Sequence, residues 1–66
     1  MVVNSYFTDD ELITQLKLQF SREEQNNIDF KYWINTIKQT SDGLVVNVKN
    51  RKFLVHPILG VVIREL

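Results

Sequence analysis

The apolar positions between residues 9 and 20 have helical spacing and predict the first helix. Four of them share a stripe of roughly 100° on a helical projection, the width typical of a helix that faces a core: Leu12, Ile13, Leu16 and Phe20. Thr8 and Glu11 have the spacing of a capping box, in which each side chain bonds the backbone N–H of the other residue. Leu18 lies on the far side of this helix and is expected to face solvent or a partner.

A polar stretch, residues 21–27, follows the first helix and contains no apolar residue. It predicts a loop with at most one helical turn, because a helix packed on a core needs an apolar stripe. Asp29 is a favourable N-cap for a second helix. The apolar positions after it follow the i, i+3, i+4, i+7 rule: Phe30, Trp33, Ile34 and Ile37. The turn-forming residues 40–43 are expected to end this helix.

The segment 43–66 alternates apolar and polar residues and predicts a three-stranded antiparallel meander. A two-residue turn at positions 50–51 would place Val48 opposite Phe53, with a longer loop as the alternative. In that register one face is apolar: Leu44, Val46, Val48, Phe53, Val55, Val61 and Ile63. Proline cannot donate to a ladder and glycine permits a tight bend, so residues 56–60 are expected to form the turn into the third strand.

The element order is therefore α-α-β-β-β. It predicts an α+β, two-layer fold in which two helices pack on one face of a three-stranded antiparallel meander. The 66 residues are expected to form a single small domain, 1–66. A chain of this size buries only about 60% of the surface that it exposes when unfolded, so association with a partner would help to stabilise it.

The second face of the meander holds more apolar residues than a solvated face needs. With two apolar residues from the helices, they form the predicted partner-binding set: Val45, Leu54, Val62, Leu66, Leu18 and Tyr32. Four apolar residues across one sheet face indicate an interface. In the alternative interpretation, Met1–Val3 or the last residues of the chain fold back and cover part of that face. Tyr6 is a further apolar candidate.

The formal net charge is zero, but the charges are unevenly distributed along the chain. Residues 1–30 carry six acidic and two basic side chains, a net charge of −4, and residues 31–66 carry six basic and two acidic ones, a net charge of +4. The zero sum argues against a strong non-specific affinity for nucleic acid. The acidic residues 9–11 also suit the positive end of a helix dipole. A decoy that presents its acidic half to a basic partner is a further hypothesis.

No pattern of catalytic, metal-binding or phosphate-binding residues is present in the sequence. His56 is the only histidine, cysteine is absent, and Gly43 and Gly60 stand alone rather than in a phosphate-binding loop. We therefore expect a protein that is not an enzyme and needs no metal or cofactor. No apolar run approaches the roughly 20 residues of a spanning helix, and the first residues do not resemble a signal peptide. A cytoplasmic protein without a membrane segment is expected.

Two functions follow from these patterns. The leading one is a small non-enzymatic regulatory or adaptor protein that binds another protein and forms a homodimer, through the second sheet face or a sheet edge. The alternative is a small DNA- or RNA-binding module. It would use the polar face of the second helix and the basic hairpin tip: Lys31, Asn35, Lys38, Gln39, Lys49, Arg51 and Lys52. These residue types contact bases and phosphates.

Overall fold

The structure is a computed structural model that describes residues 7–66, as three short helices and one antiparallel sheet. The elements are α1 Asp9–Lys17, α2 Arg22–Asn27, α3 Phe30–Ile34, β1 Lys38–Thr40, β2 Gly43–Val48, β3 Arg51–Val55 and β4 Val62–Glu65. The α+β class is confirmed. The expectation of two helices on three strands is wrong, because α2 and β1 are additional elements.

The first helix begins at the predicted capping box. Thr8 Oγ1 accepts from the Glu11 N–H over 3.2 Å, and Glu11 Oε1 accepts from the Thr8 N–H over 2.8 Å. Leu12 and Leu16 are fully buried. The helix ends at Lys17, earlier than predicted, because the following residues form tighter i→i−3 bonds, such as the 3.0 Å bond from the Phe20 N–H to the Lys17 carbonyl.

The polar stretch expected to be a loop forms α2, a six-residue helix that buries no side chain. A second capping box, between Ser21 and Glu24, starts it. The bond from the Ser21 N–H holds the pKa of the Glu24 carboxyl below its usual value. Gln25 Nε2 donates to the carbonyls of Lys17 and Phe20, over 2.9 and 3.1 Å, at the end of α1. The capping box at the start of α2, and the bonds from Gln25 to the end of α1, account for this helix in place of burial.

The predicted second helix is cut short, and its last part joins the sheet. After Ile34 the backbone bonds become i→i−3, as in the 3.0 Å bond from the Thr36 N–H to the Trp33 carbonyl. Residues 38–40 then form β1, with Lys38 opposite Val45. The prediction that Lys38 and Gln39 lie on a helix face is therefore wrong. Pairing with β2 supplies the backbone hydrogen bonds of these residues in place of a further helical turn.

The sheet has the strand order β1-β2-β3-β4, with each neighbouring pair antiparallel. The β2–β3 turn is Lys49–Asn50 rather than residues 50–51, so Val48 lies opposite Arg51 and Val46 opposite Phe53. Lys49 adopts a φ of +56° in this turn. The predicted register is wrong by two residues, since Phe53 pairs with Val46 instead of Val48. A shift by an even number of residues leaves the paired side chains of β2 and β3 on their predicted faces. Five side chains on that face are fully buried: Leu44, Val46, Val48, Phe53 and Val55.

A β-bulge changes the predicted faces of β4. Arg64 pairs with Leu54, whereas Val62 pairs with Val55, so one extra residue, Ile63, is accommodated in β4. Val62 consequently packs against the core. The predictions that Val62 faces away from the helices and that Ile63 and Val61 join the covered face are wrong: Val61 is 38% exposed and Ile63 49%.

The core lies between the helices and one face of the sheet. The helical layer contributes Leu12, Leu16, Phe20, Ile28, Phe30 and Ile34. The ring of Phe20 is in edge-to-face contact with Phe30 at 5.6 Å and with Phe53 at 5.8 Å between centroids. Such aromatic pairs add about 0.5–1.5 kcal/mol beyond the burial of their area.

Replacing Gly60 with alanine is expected to lower the free energy of unfolding by about 1–3 kcal/mol. Gly60 has a φ of +70°, and a Cβ at this position would overlap the ring of Phe7. Urea denaturation followed by circular dichroism measures the effect. The control is Ser41→Ala, at an exposed turn residue between β1 and β2, which should leave the midpoint unchanged. Equal midpoints for the two variants would contradict the close approach of Phe7 to Gly60.

Candidate functional site

The exposed apolar side chains are concentrated at one end of the described chain. Five of the seven large hydrophobic residues that are exposed within residues 7–66 lie in the β3–β4 loop or in and around β4. We call this set the β4 edge: Ile58, Leu59, Val61, Ile63 and Leu66, with exposures from 38% to 63%. Single exposed apolar residues are ordinary, but a group of five within residues 58–66 is typical of an interaction surface.

The outer backbone groups of β4 pair with no other strand among the described residues. Two bonds define its pairing with β3: the Leu66 N–H donates to the Lys52 carbonyl over 2.8 Å, and the His56 N–H to the Val61 carbonyl over 2.9 Å. Bonded and non-bonded pairs alternate along an antiparallel ladder, so the neighbouring residues, Val62 and Glu65, direct their N–H and C=O groups away from β3. β4 is the last strand of the sheet. These groups therefore face an edge that no other strand of residues 7–66 occupies.

The opposite edge of the sheet has a different character. β1 is only three residues long, Lys38–Thr40, and all three side chains are polar and exposed. Short strands and lysine are the usual means by which proteins prevent pairing at an edge. The two edges are thus unequal, and the apolar one, β4, is the better candidate for binding another chain.

His56 holds the loop that leads into β4. Its Nδ1 accepts from the N–H groups of Ile58 and Leu59, over 3.2 and 3.1 Å. Its carbonyl accepts from the Gly60 N–H over 2.9 Å. Three loop amides therefore bond to one residue, which fixes the positions of Ile58 and Leu59 in the β4 edge. The sequence analysis considered His56 only in connection with metal binding and catalysis, and it missed this role.

A cleft of about 310 Å³ borders the start of β4. It lies between α1 and the β3–β4 loop and is lined by Phe7, Glu11, Thr14, Gln15, Leu59, Gly60 and Val61. One wall is therefore polar and belongs to α1, and the other is mainly apolar and belongs to the β4 edge. A chain bound along β4 would meet both kinds of surface.

The structure separates the residues predicted to bind a partner. Leu66, 55% exposed, belongs to the β4 edge, whereas Leu18 and Tyr32, 70% and 60% exposed, lie at the end of α1 and on α3. Val45 and Leu54 are cross-strand neighbours on the sheet face that points away from the helices, and Leu54 is only 7% exposed. The remaining predicted residue, Val62, packs against the core. Met1–Val3 and Tyr6, which figured in the alternative interpretation, lie outside the described residues.

The sequence analysis missed Ile58, Leu59, Val61 and Ile63 as surface residues. The first two were assigned to a turn and the last two to the covered face. One signal was available, since Ile58 and Leu59 are large apolar residues between Pro57 and Gly60. A tight turn of that kind offers little burial.

Arg51, one of the residues predicted to contact nucleic acid, bonds two other parts of the chain. Its Nε and one terminal nitrogen donate to both carboxylate oxygens of Glu65, over 2.9 and 2.8 Å, and its other terminal nitrogen donates to the Gln19 carbonyl over 2.9 Å. The guanidinium carbon lies 4.5 Å from the ring centroid of Phe20 and 5.1 Å from that of Phe53. The hydrogen bond raises the pKa of Arg51 and lowers the pKa of Glu65.

The other residues of the predicted nucleic-acid site do not form one surface. Lys31 is in α3 and Asn35 caps its end, whereas Lys38 and Gln39 are in β1. The remaining two lie in the hairpin turn and in β3: Lys49 and Lys52. The expected polar helix face is absent because α3 ends at Ile34.

Comparisons with protein-family models, with curated proteins and with solved structures gave no match. Within residues 7–66, no three histidine, aspartate or glutamate side chains lie close enough together to hold a metal ion. The helices of the same residues are too short and too polar to cross a bilayer. Function is therefore inferred from the geometry described above.

Replacing Glu65 with glutamine is expected to reduce the loss of stability on acidification. Its pKa is lowered from 4.5 by the bond to Arg51, so the folded state binds this proton less readily than the unfolded chain. The stabilisation that the Glu65–Arg51 bond gives the folded state is present above the pKa of Glu65 in the unfolded chain. It is lost as the pH falls through the lower pKa of Glu65 in the folded state. Urea midpoints at about pH 7 and about pH 3 measure the difference. The urea midpoints of wild type and Glu65→Gln should differ more at the higher pH. The midpoint of the control, Glu23→Gln, should equal that of wild type at both pH values.

Replacing His56 with leucine should lower the free energy of unfolding by about 1–3 kcal/mol, because two loop N–H groups lose their acceptor. His56→Asn is the matched control, since its side-chain oxygen can accept in place of Nδ1. Urea denaturation gives the stability, and hydrogen exchange reports on the amides of Ile58 and Leu59. Those amides should exchange faster in the leucine variant than in the asparagine variant. Equal exchange in the two variants would show that Nδ1 does not hold the loop.

Proposed function

We propose that the chain is a small non-enzymatic regulatory or adaptor protein of the cytoplasm that acts by protein–protein binding, as a homodimer joined through β4. The observation that carries the proposal is the concentration of five exposed aliphatic side chains in the β3–β4 loop and in and around β4, an edge strand whose outward backbone groups pair with no other strand of residues 7–66. Addition of a strand to a sheet edge is a common mode of protein recognition, in which main-chain bonds supply affinity and side chains supply specificity.

A second copy of the chain suits this edge in an antiparallel arrangement. A two-fold axis between Ile63 and Arg64 places each of these residues opposite the other in the second copy, and Val62 opposite Glu65. No two like charges then lie directly opposite each other, which avoids a destabilising cross-strand pair. Val62 and Glu65 are also the residues whose backbone groups point outward, so they form the hydrogen-bonded pairs. Both copies carry the same bulge, and the bulges meet at the axis.

The loop and α1 enlarge the contact beyond the strand. A stable interface buries about 800 Å² on each partner, about one sixth of the 4659 Å² of accessible surface of the chain. Four paired residues alone are too few for that area. Leu59 and Val61, together with the α1 wall of the adjacent cleft, extend the surface on the side where the second copy would lie.

The oligomeric state of Ile63→Lys tests the proposal. Sedimentation equilibrium at micromolar concentrations should give twice the 7.8 kDa chain mass for wild type. A lysine at the two-fold axis faces Arg64 of the second copy, so the dissociation constant of the dimer should rise by about tenfold or more, equal to about 1.4 kcal/mol. Tyr32→Lys, on α3 and 60% exposed, is the control and should remain dimeric.

Hydrogen exchange locates the contact. In wild type the amides of Val62 and Glu65 should become more protected as the protein concentration rises, and in Ile63→Lys they should not. A wild-type chain that remains monomeric over this range would refute the homodimer. A dimer that is equally stable with Ile63→Lys, or one without protection of these two amides, would refute the role of β4.

A further inference from the structure

The sheet face that points away from the helices carries basic groups and no acidic ones. We call it the open face: Lys38, Val45, Asn47, Lys52, Leu54 and Arg64. Four of these residues form one row across the four strands, in the order Lys38, Val45, Leu54 and Arg64. Lys52, opposite Asn47, lies two residues further along β3. The side chains of Lys38, Lys52 and Arg64 are all exposed.

All eight acidic residues of the chain lie elsewhere. Six belong to the helical layer: Asp9, Asp10, Glu11, Glu23, Glu24 and Asp29. Asp42 is in the β1–β2 turn, and Glu65 lies opposite Phe53 on the covered face, bonded to Arg51. The opposite charges of the two halves of the sequence thus become two layers of the molecule, an acidic helical layer and a basic open face.

The cations of the open face have no carboxylate partner within the described residues. Arg51–Glu65 is the one ion pair that residues 7–66 form. Neighbouring strands lie about 4.8 Å apart, so Lys38 and Arg64 are separated by three strand spacings, about 14 Å. Between them lie Val45, half-buried, and Leu54, 7% exposed. Because Leu54 is buried, the accessible aliphatic part of this strip is Val45, with a cation at each end of the row and a third, Lys52, beside it.

The absence of aromatic residues on this face bears on the kind of partner. Proteins that bind single-stranded nucleic acid on a sheet stack the bases on exposed aromatic side chains. On the described part of the open face there is none, since Phe53 is buried under the helices and Tyr32 and Trp33 are on α3. An acidic protein segment needs no stacking partner. Its carboxylates can pair with lysine and arginine while an aliphatic side chain contacts the central strip.

We propose that the open face binds an acidic segment of another protein, with its carboxylates on Lys52, Arg64 and Lys38 and an aliphatic side chain over Val45. Lys38, Val45 and Lys52 lie outside β4, so this surface does not depend on dimer formation. Arg64 alone among these residues also lies at the proposed dimer axis. Strand pairing through β4 extends one continuous sheet, so it would place two open faces on the same side of the dimer. A homodimer would then bind two acidic segments at once, as an adaptor requires.

Three fluorescein-labelled probes, added to the full chain at low salt, test the proposal by anisotropy: a peptide of alternating glutamate and leucine, a poly-glutamate of equal length, and oligo(dT). The alternating peptide should bind most tightly, and its affinity should fall as salt is added. The double variant Lys38→Gln/Lys52→Gln, which leaves β4 intact, should weaken binding by tenfold or more. The matched control is Lys17→Gln/Lys31→Gln, which removes two exposed lysines of the helical layer and should bind as wild type does.

Each other outcome overturns the proposal. If oligo(dT) binds more tightly than the alternating peptide and loses affinity in the same open-face variant, the face is a nucleic-acid surface. If no probe binds, or if the control variant weakens binding as much, the open face is an ordinary solvated surface. Circular dichroism confirms that the variants fold, and sedimentation reports on the dimer separately. A failure of the open face is thereby distinguished from a failure of the β4 edge.

Discussion

The guanidinium of Arg51 joins three parts of the molecule that have no covalent connection nearby. It lies against the rings of Phe20 and Phe53, donates to the end of α1 at Gln19, and forms a two-point bond with Glu65 in β4. An arginine–carboxylate pair of this geometry fixes orientation as well as distance. The last strand of the sheet is therefore tied both to its neighbour, β3, and to the helical layer. Without the Arg51–Glu65 pair, the hydrogen bonds that hold β4 would be those of its ladder with β3, which contains a bulge.

The same residue explains the position of the β2–β3 turn. Had the turn used residues 50–51, Arg51 would have left the strand, and its side chain could not have covered Phe20. With Lys49 and Asn50 as the turn, Arg51 occupies the covered face beside Phe53. The cost is a lysine at a φ of +56°, a conformation that is uncommon outside glycine and asparagine. Contacts between distant residues thus overrode the local turn preference of Asn50.

The local parts of the fold could be predicted from the sequence, and the parts set by pairing could not. The capping box at Thr8 is a short-range pattern, and the alternation of Leu44, Val46 and Val48 sets a face whatever the exact register. By contrast, the change from α3 to β1 depends on the presence of β2 as a partner. The bulge at Ile63 depends on the fit of β4 to β3 and has no local signature. The candidate site lies largely on these unpredicted parts, which is why Ile63 and Val61 were assigned to the core.

The separation of charge between the two layers makes the electrostatic potential near the open face different from the potential far from the molecule. The shortest principal extent of the chain is 17 Å, about twice the Debye length of about 8 Å at physiological ionic strength. A ligand in contact with Lys52 and Arg64 is therefore largely screened from the carboxylates of the helices, and experiences a cationic surface. A macromolecule farther away experiences a neutral protein. Recognition at the open face would thus depend on short-range contact, with little long-range attraction of polyanions.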